Sequence, residues 1–149
     1  LALWLATTSS APWNDVTYAM VMGACSDGRA WQLALQVLEL AAELGHDDHI
    51  LSAAVSACGR CGQWQEALAV LDAARSNGAA PNVVVYGAAV DSCRRSSQWE
   101  AALGLLTALQ SHGPRPDAAT LGAAVGALAR GSRWSEALEL FEASFRHHE

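Results

Sequence analysis

The chain contains no lysine. All nine basic side chains are arginines, set against 15 Asp and Glu, and the formal charge is −6 over 149 residues. That balance excludes a uniformly basic nucleic-acid binder and leaves room only for a locally basic surface. Charged residues make up 16% where about a quarter is usual, while hydrophobic residues reach 52%. An intrinsically disordered polyampholyte is therefore excluded. Proline occurs four times, too rarely for a Pro-rich linker. Every apolar run is broken before the roughly 18–20 residues of a membrane span, and the segment Leu1–Leu5 has neither the length nor the basic flank of a signal peptide. Four cysteines in a chain of this length do not form the framework of a small disulfide-stapled secreted domain. There is no G-x-S-x-G, no phosphate loop and no paired-carboxylate motif, so no catalytic constellation is found and no cofactor is expected.

Alanine is what the chain has in excess: 31 residues, a composition that favours helix. The length suits one compact domain or a short array of repeats. Because the chain opens at Leu1 rather than Met, it reads as a piece of a longer protein.

Self-comparison shows the repeats. Trp31, Trp64, Trp99 and Trp134 are spaced by 33, 35 and 35 residues and open the stretches WQLAL, WQEAL, WEAAL and WSEAL. Six residues before each stand Cys25, Cys58, Cys93 and Leu128. Upstream of those, apolar residues fall at i, i+3, i+4 and i+7: Tyr18, Val21, Met22, Cys25, then Leu51, Ala54, Val55, Cys58, with the same register in the next two copies. That is the buried stripe of an amphipathic helix. A second helix starts near each Trp, as in Trp64, Ala67, Leu68 and Leu71. Turn formers such as Gly59 and Gly62, or Ser96 and Ser97, separate the two helices. After the second helix come Gly78 to Asn82 (GAAPN) and Gly113 to Asp117 (GPRPD). Glycine there suits a left-handed C-cap, proline stops the helix, and Asn or Asp caps the next one. A two-helix unit cannot bury its own apolar face, whereas stacked units can. The expected fold is all-α, an α-solenoid of about four stacked 35-residue hairpins at 15–47, 48–82, 83–117 and 118–149, the last incomplete. Residues 1–14 read as the tail of a preceding repeat.

The Val16-Thr17-Tyr18 and Val84-Val85-Tyr86 openings, with the Gly-x-x-Pro-Asx closings, resemble the pentatricopeptide repeat family over residues 15–149. The tetratricopeptide repeat is the nearest pattern, but its period is 34 residues. The resemblance implies a right-handed superhelix that binds single-stranded RNA, about one nucleotide per repeat, in a chloroplast or mitochondrion. It also implies that the first helices line the groove, leaving the outer helices to other proteins. The base-reading residues it implies are Ala19 with Asp47, Ser52 with Asn82, Gly87 with Asp117, and Gly122. Those that sandwich bases are Val16, His49, Val84 and Ala119. Ser52 with Asn82 resembles the family's adenine-reading pair, and a closing Asp resembles the class that leans to guanine or uracil. Ala19 and Gly87 have no side-chain hydrogen-bonding group.

The residues also allow an independent reading of the groove. Along one first-helix face at i, i+4, i+8 stand Ser52, Ser56, Arg60, then Gly87, Asp91, Arg95, then Gly122, Gly126, Arg130. Small residues leave room for a base, and about 12 Å further along an arginine is placed to meet a phosphate. Arg60, Arg95 and Arg130 thus form an expected phosphate ladder, broken in the first repeat by Asp27. The plain alternative is that these arginines complement the helix dipole. Cys58-x-x-Cys61 has no second pair, and the shared register of Cys25, Cys58 and Cys93 points to packing rather than a metal site. The four repeated tryptophans read as packing residues, and His46 and His112 as solvated loop residues. The expected activity is RNA binding without catalysis, metal or membrane. A protein-interaction scaffold of tetratricopeptide-like repeats is the alternative.

Overall fold

The computed structural model describes residues 15–27, 30–42, 48–112 and 115–146. Among them are eight helices and no strand. The first helices of the hairpins are α1 (Asp15–Asp27), α3 (Asp48–Arg60), α5 (Val83–Arg95) and α7 (Ala118–Arg130). The second helices are α2 (Trp31–Ala42), α4 (Trp64–Ser76), α6 (Trp99–His112) and α8 (Trp134–Arg146). Residues 1–14 and Asp47, together with His46, lie outside the described residues.

Packing follows the i, i+3, i+4, i+7 stripes. Each first helix lies beside the next first helix, α1 on α3, α3 on α5 and α5 on α7. Each second helix packs against its own first helix, and α2, α4 and α6 also pack against the first helix of the following hairpin. Second helices make no comparable contact with one another among the described residues. Neighbours that touch on one side and splay on the other curve the stack toward the first helices, which places those helices on the inner side. The core runs through the stack. Leu51, Val55 and Cys58 of α3 meet Leu71 of α4 and Val85, Tyr86 and Ala89 of α5. Val90 and Cys93 then meet Leu106, Ala124 and Ala127. Burying one Leu of this kind contributes about 1.5–3 kcal/mol.

All four first helices end in the same way. The backbone N–H groups of Ala30, Gln63, Gln98 and Arg133 donate to the carbonyls of Cys25, Cys58, Cys93 and Leu128 at 2.8–2.9 Å. In the last three, Gly62, Ser97 and Ser132 also donate to Gly59, Arg94 and Ala129, which completes a Schellman cap. The residue two positions before the second helix must then be left-handed. Gly62 has φ 75°, and Ser97 and Ser132 both have φ 57°. A left-handed L-residue costs roughly 1–2 kcal/mol, partly offset by the extra entropy that glycine loses on folding. Ser97→Gly and Ser132→Gly are therefore expected each to raise stability by about 0.5–1 kcal/mol, read as a higher midpoint in thermal melts followed by circular dichroism.

Gly59 is a correction to the sequence reading. It lies inside α3 rather than in the turn, and its role is close approach. A Cβ there would stand 2.7 Å from Ser92 Cβ and 3.0 Å from Ser92 Cα on α5. Ser92 is itself buried, with its hydroxyl donating to the carbonyl of Ala88 at 2.8 Å. Of the repeated tryptophans, Trp31 and Trp99 pack against the core. Trp99 lies under the next turn, where Arg133 stacks 4.5 Å from the ring centroid and a Cβ on Gly131 would meet Trp99 Cγ at 2.8 Å. Trp134, in the last described hairpin, is 64% exposed.

Candidate nucleic-acid interface

A central first helix such as α5 has α3 and α7 at its sides and α4 and α6 behind it. One face remains open, opposite the second helices. It carries Val84 (57% exposed), half-buried Gly87 and Asp91, and exposed Arg95. The same register on α3 gives exposed His49, half-buried Ser52 and Ser56, and exposed Arg60. On α7 it gives exposed Ala119 and Gly122, half-buried Gly126, and exposed Arg130. Val16 and Ala19 fall on α1, and their side chains lie outside the described residues.

The residues that close one repeat cap the next first helix. Asn82 has extended backbone (φ −79°, ψ 176°), and its Oδ1 accepts from the N–H groups of Val84 at 3.0 Å and Val85 at 3.1 Å. Asp117 does the same for α7, its Oδ1 accepting from Thr120 N at 2.8 Å and Thr120 Oγ1 at 2.7 Å. In both residues these capping bonds engage only Oδ1. Asn82 keeps an amide N–H₂, which donates, and Asp117 keeps a second carboxylate oxygen, which only accepts. The hydrogen bonds from Thr120 hold the Asp117 carboxyl below the usual carboxylate range. Its folded value is depressed, so the cap's contribution is full above the unfolded value and is lost as pH falls through the folded one. Asp117→Asn keeps the capping oxygen without the charge. It is expected to flatten the acid limb of the stability–pH profile, measured by urea unfolding between pH 2 and about 5.

Position 87 lies beside that cap. A Cβ on Gly87 would stand 3.1 Å from Thr120 Oγ1, the same hydroxyl that donates to Asp117. The Gly87 register position on one first helix is thereby linked to the Asx that caps the next. Ser52, one repeat earlier, donates its hydroxyl to the carbonyl of His49 at 3.0 Å, which leaves the oxygen lone pairs to accept.

The arginines are placed differently from a bare ladder. Arg60 Nη1 lies 3.1 Å from Asp27 Oδ1, which joins α3 to α1. Asp91 holds two arginines, with Arg94 Nη2 at 2.6 Å from Oδ1 and Arg95 Nε at 2.9 Å from Oδ2. Burial raises the Asp91 carboxyl, but the hydrogen bonds and charges of Arg95 and Arg94 outweigh it and hold the group below its ordinary value. Arg130 has no ion-pair partner among the described residues. The first helices also include Asp15 and Asp48 at their N-terminal ends, so the inner layer is not net basic. Its positive charge is confined to the C-terminal turns. The sequence reading missed both charge pairings, although both were legible. Asp27 and Arg60 share a register, and Asp91 precedes Arg94 and Arg95 by the three and four residues that bring side chains together on a helix.

Cys25, Cys58 and Cys93 are buried and free. Burial pushes the Cys93 thiol up to about 11. Cys58 reaches a similar value, through burial first and then the neighbouring Cys61 and Glu66. Such thiols are poor nucleophiles and poor ligands at neutral pH. No group of three or more His, Cys, Asp or Glu able to hold a metal occurs among the described residues. No described helix is long and apolar enough to cross a membrane.

A family model for pentatricopeptide repeat-containing protein matches residues 15–144. The chain belongs to this family. Its pentatricopeptide repeats are similar in structure to the pentatricopeptide repeat protein PPR10 from maize, with TM-score 0.70 and 27% identity over 99% of this chain and 21% of that one. They also match PPR10 in complex with an 18-nt psaJ RNA element, with TM-score 0.76 and 22% identity over 92% of this chain and 20% of that one. The chain spans about a fifth of the length of these solved proteins. No curated protein matches it. The all-α solenoid expected from the repeat is the fold observed.

Proposed function

We propose that this pentatricopeptide array binds single-stranded RNA along the open face of its first helices, about one nucleotide per repeat, with repeats at 15–47, 48–82, 83–117 and 118–149. The observation that carries the reading is the half-used cap. Asn82 and Asp117 anchor their helices through one oxygen and keep a second polar atom, a donor in one case and an acceptor in the other. The small residues Ser52, Gly87 and Gly122 on the same open face leave room for a base, and exposed His49, Val84 and Ala119 offer surfaces against which bases pack. The RNA complex of PPR10 supports the partner class. Family membership supports a role in organellar RNA metabolism (processing, stabilisation, editing or translation) in a chloroplast or mitochondrion. The pairing of Arg60 and Arg95 with acids favours one second reading, a protein-interaction scaffold on the same solenoid.

Hydrogen exchange with and without a short single-stranded RNA tests the site. RNA should protect the first turns of α3, α5 and α7 and leave α4 and α6 unchanged. Protection confined to the second helices, or none at saturating RNA, would favour the scaffold.

A further inference from the structure

We propose that Asp27 and Asp91 occupy the register arginines of the second and third repeats, Arg60 and Arg95, so that the RNA backbone is gripped at the fourth repeat by Arg130. This rests on the RNA-binding reading above. Asp27, Arg60, Arg95 and Arg130 occupy one register on four adjacent first helices. Asp27 reaches across the helix–helix boundary to Arg60. Asp91 stands four residues before Arg95 and takes it together with Arg94. The Arg94 stem is also committed, because its Cδ lies 2.9 Å from where a Cβ on Gly126 would be. The position four residues before Arg130 is Gly126, which has no side chain to pair with it.

A phosphate arriving at Arg60 or Arg95 must displace a carboxylate already there. The exchange leaves Asp27 unpaired, or Asp91 held by Arg94 alone, beside the RNA, so the net attraction is reduced. At Arg130 the phosphate meets an unpaired guanidinium and gains the full charge-assisted bond. The pairs are half-exposed to exposed, with the Arg60 and Asp27 side chains 50% and 79% accessible. They lower the net pull on a phosphate without carrying the fold, because exposed pairs add little stability.

The test is anisotropy titration with a labelled single-stranded RNA at several salt concentrations, on the same chain with three sets of substitutions. Asp27→Asn with Asp91→Asn should tighten binding roughly threefold to tenfold. The same variant should steepen the slope of log K against log salt by about 1.4, two phosphates at about 0.7 each. Arg130→Gln in the otherwise unchanged chain should weaken binding and flatten that slope. Asp72→Asn with Glu139→Gln makes the same change in net charge on the second helices and should do neither. Circular dichroism checks that every variant is helical. RNA binding that is tightened equally by both charge-neutralising pairs, or that is indifferent to Arg130→Gln, overturns the proposal and leaves the RNA reading standing. Absence of RNA binding by every variant removes both.

Discussion

Gly59→Ala will destabilise the array, and Gly104→Ala will stabilise it. Helix propensity alone predicts the same sign for both, because glycine inside a helix costs about 0.5–1 kcal/mol relative to alanine. Gly104 on α6 has nothing within 4 Å of the added methyl and should show that gain. At Gly59 the methyl meets Ser92 on α5, including the backbone Cα at 3.0 Å. A side chain can rotate away, but a backbone atom in a packed helix moves only if α3 and α5 part. Overpacking of this kind costs about 1–3 kcal/mol, enough to reverse the propensity gain. In an array whose stability is a sum of neighbour interfaces, the loss falls on the joint between the second and third repeats. The expected result is a lower urea midpoint for Gly59→Ala and a higher one for Gly104→Ala. Adding Ser92→Gly to Gly59→Ala should recover part of the loss, because it removes the Cβ and the hydroxyl that meet the new methyl. Equal shifts of one sign at both glycines would show that the helix spacing is not set by this contact.

Asn82→Asp separates the cap from the reader. Asn and Asp cap helices about equally well, and a negative charge at a helix N-terminus adds about 0.3–1 kcal/mol. Stability should therefore hold or rise slightly. What changes is the atom left over. The amide N–H₂ of Asn82 becomes a carboxylate oxygen, so on the proposed RNA reading a donor offered to the base becomes a charged acceptor. A base that accepted from Asn82 would then face an acceptor, and leaving such a polar group unmet costs about 1–3 kcal/mol. Binding to an RNA chosen for the wild-type chain should weaken by about tenfold, with preference at that nucleotide moving toward bases that donate. Competition titrations against RNAs varied at one position would read the change. A stability change without a change in base preference would mean that Asn82 caps α5 and reads nothing.

The fold was legible because its causes recur. The tryptophan at each second-helix start, the stripe ending at Cys25, Cys58, Cys93 and Leu128, and the Gly-x-x-Pro-Asx closings each appear in register. Stacking then follows, since no hairpin buries its own stripe. The candidate groove was legible in part. The small residues at 52, 87 and 122 and the closing Asx residues stand where that face and those caps were expected. The arginines were read along one helix at a time, so their lateral partners were missed. Asp27 appeared as a gap in a ladder, whereas it pairs with the next rung. Gly59 appeared as a turn former because its neighbour Ser92 lies 33 residues away on another helix, a distance that local pattern does not span. Ser97 and Ser132 show the converse. Their left-handed backbone is dictated by the shared cap, and only the glycine at position 62 announces it in the sequence.

On the proposed function, the open face of the first helices recognises single-stranded RNA. The most direct measurement is a fluorescence-anisotropy titration at low salt with an adenine-rich RNA, an adenine-free RNA and the DNA matching the first, all of equal length. Saturable binding is expected, with RNA preferred to DNA and the adenine-rich sequence preferred to the adenine-free one. Failure of the folded, helical chain to bind any of the three at concentrations that saturate a pentatricopeptide protein known to bind RNA would contradict it.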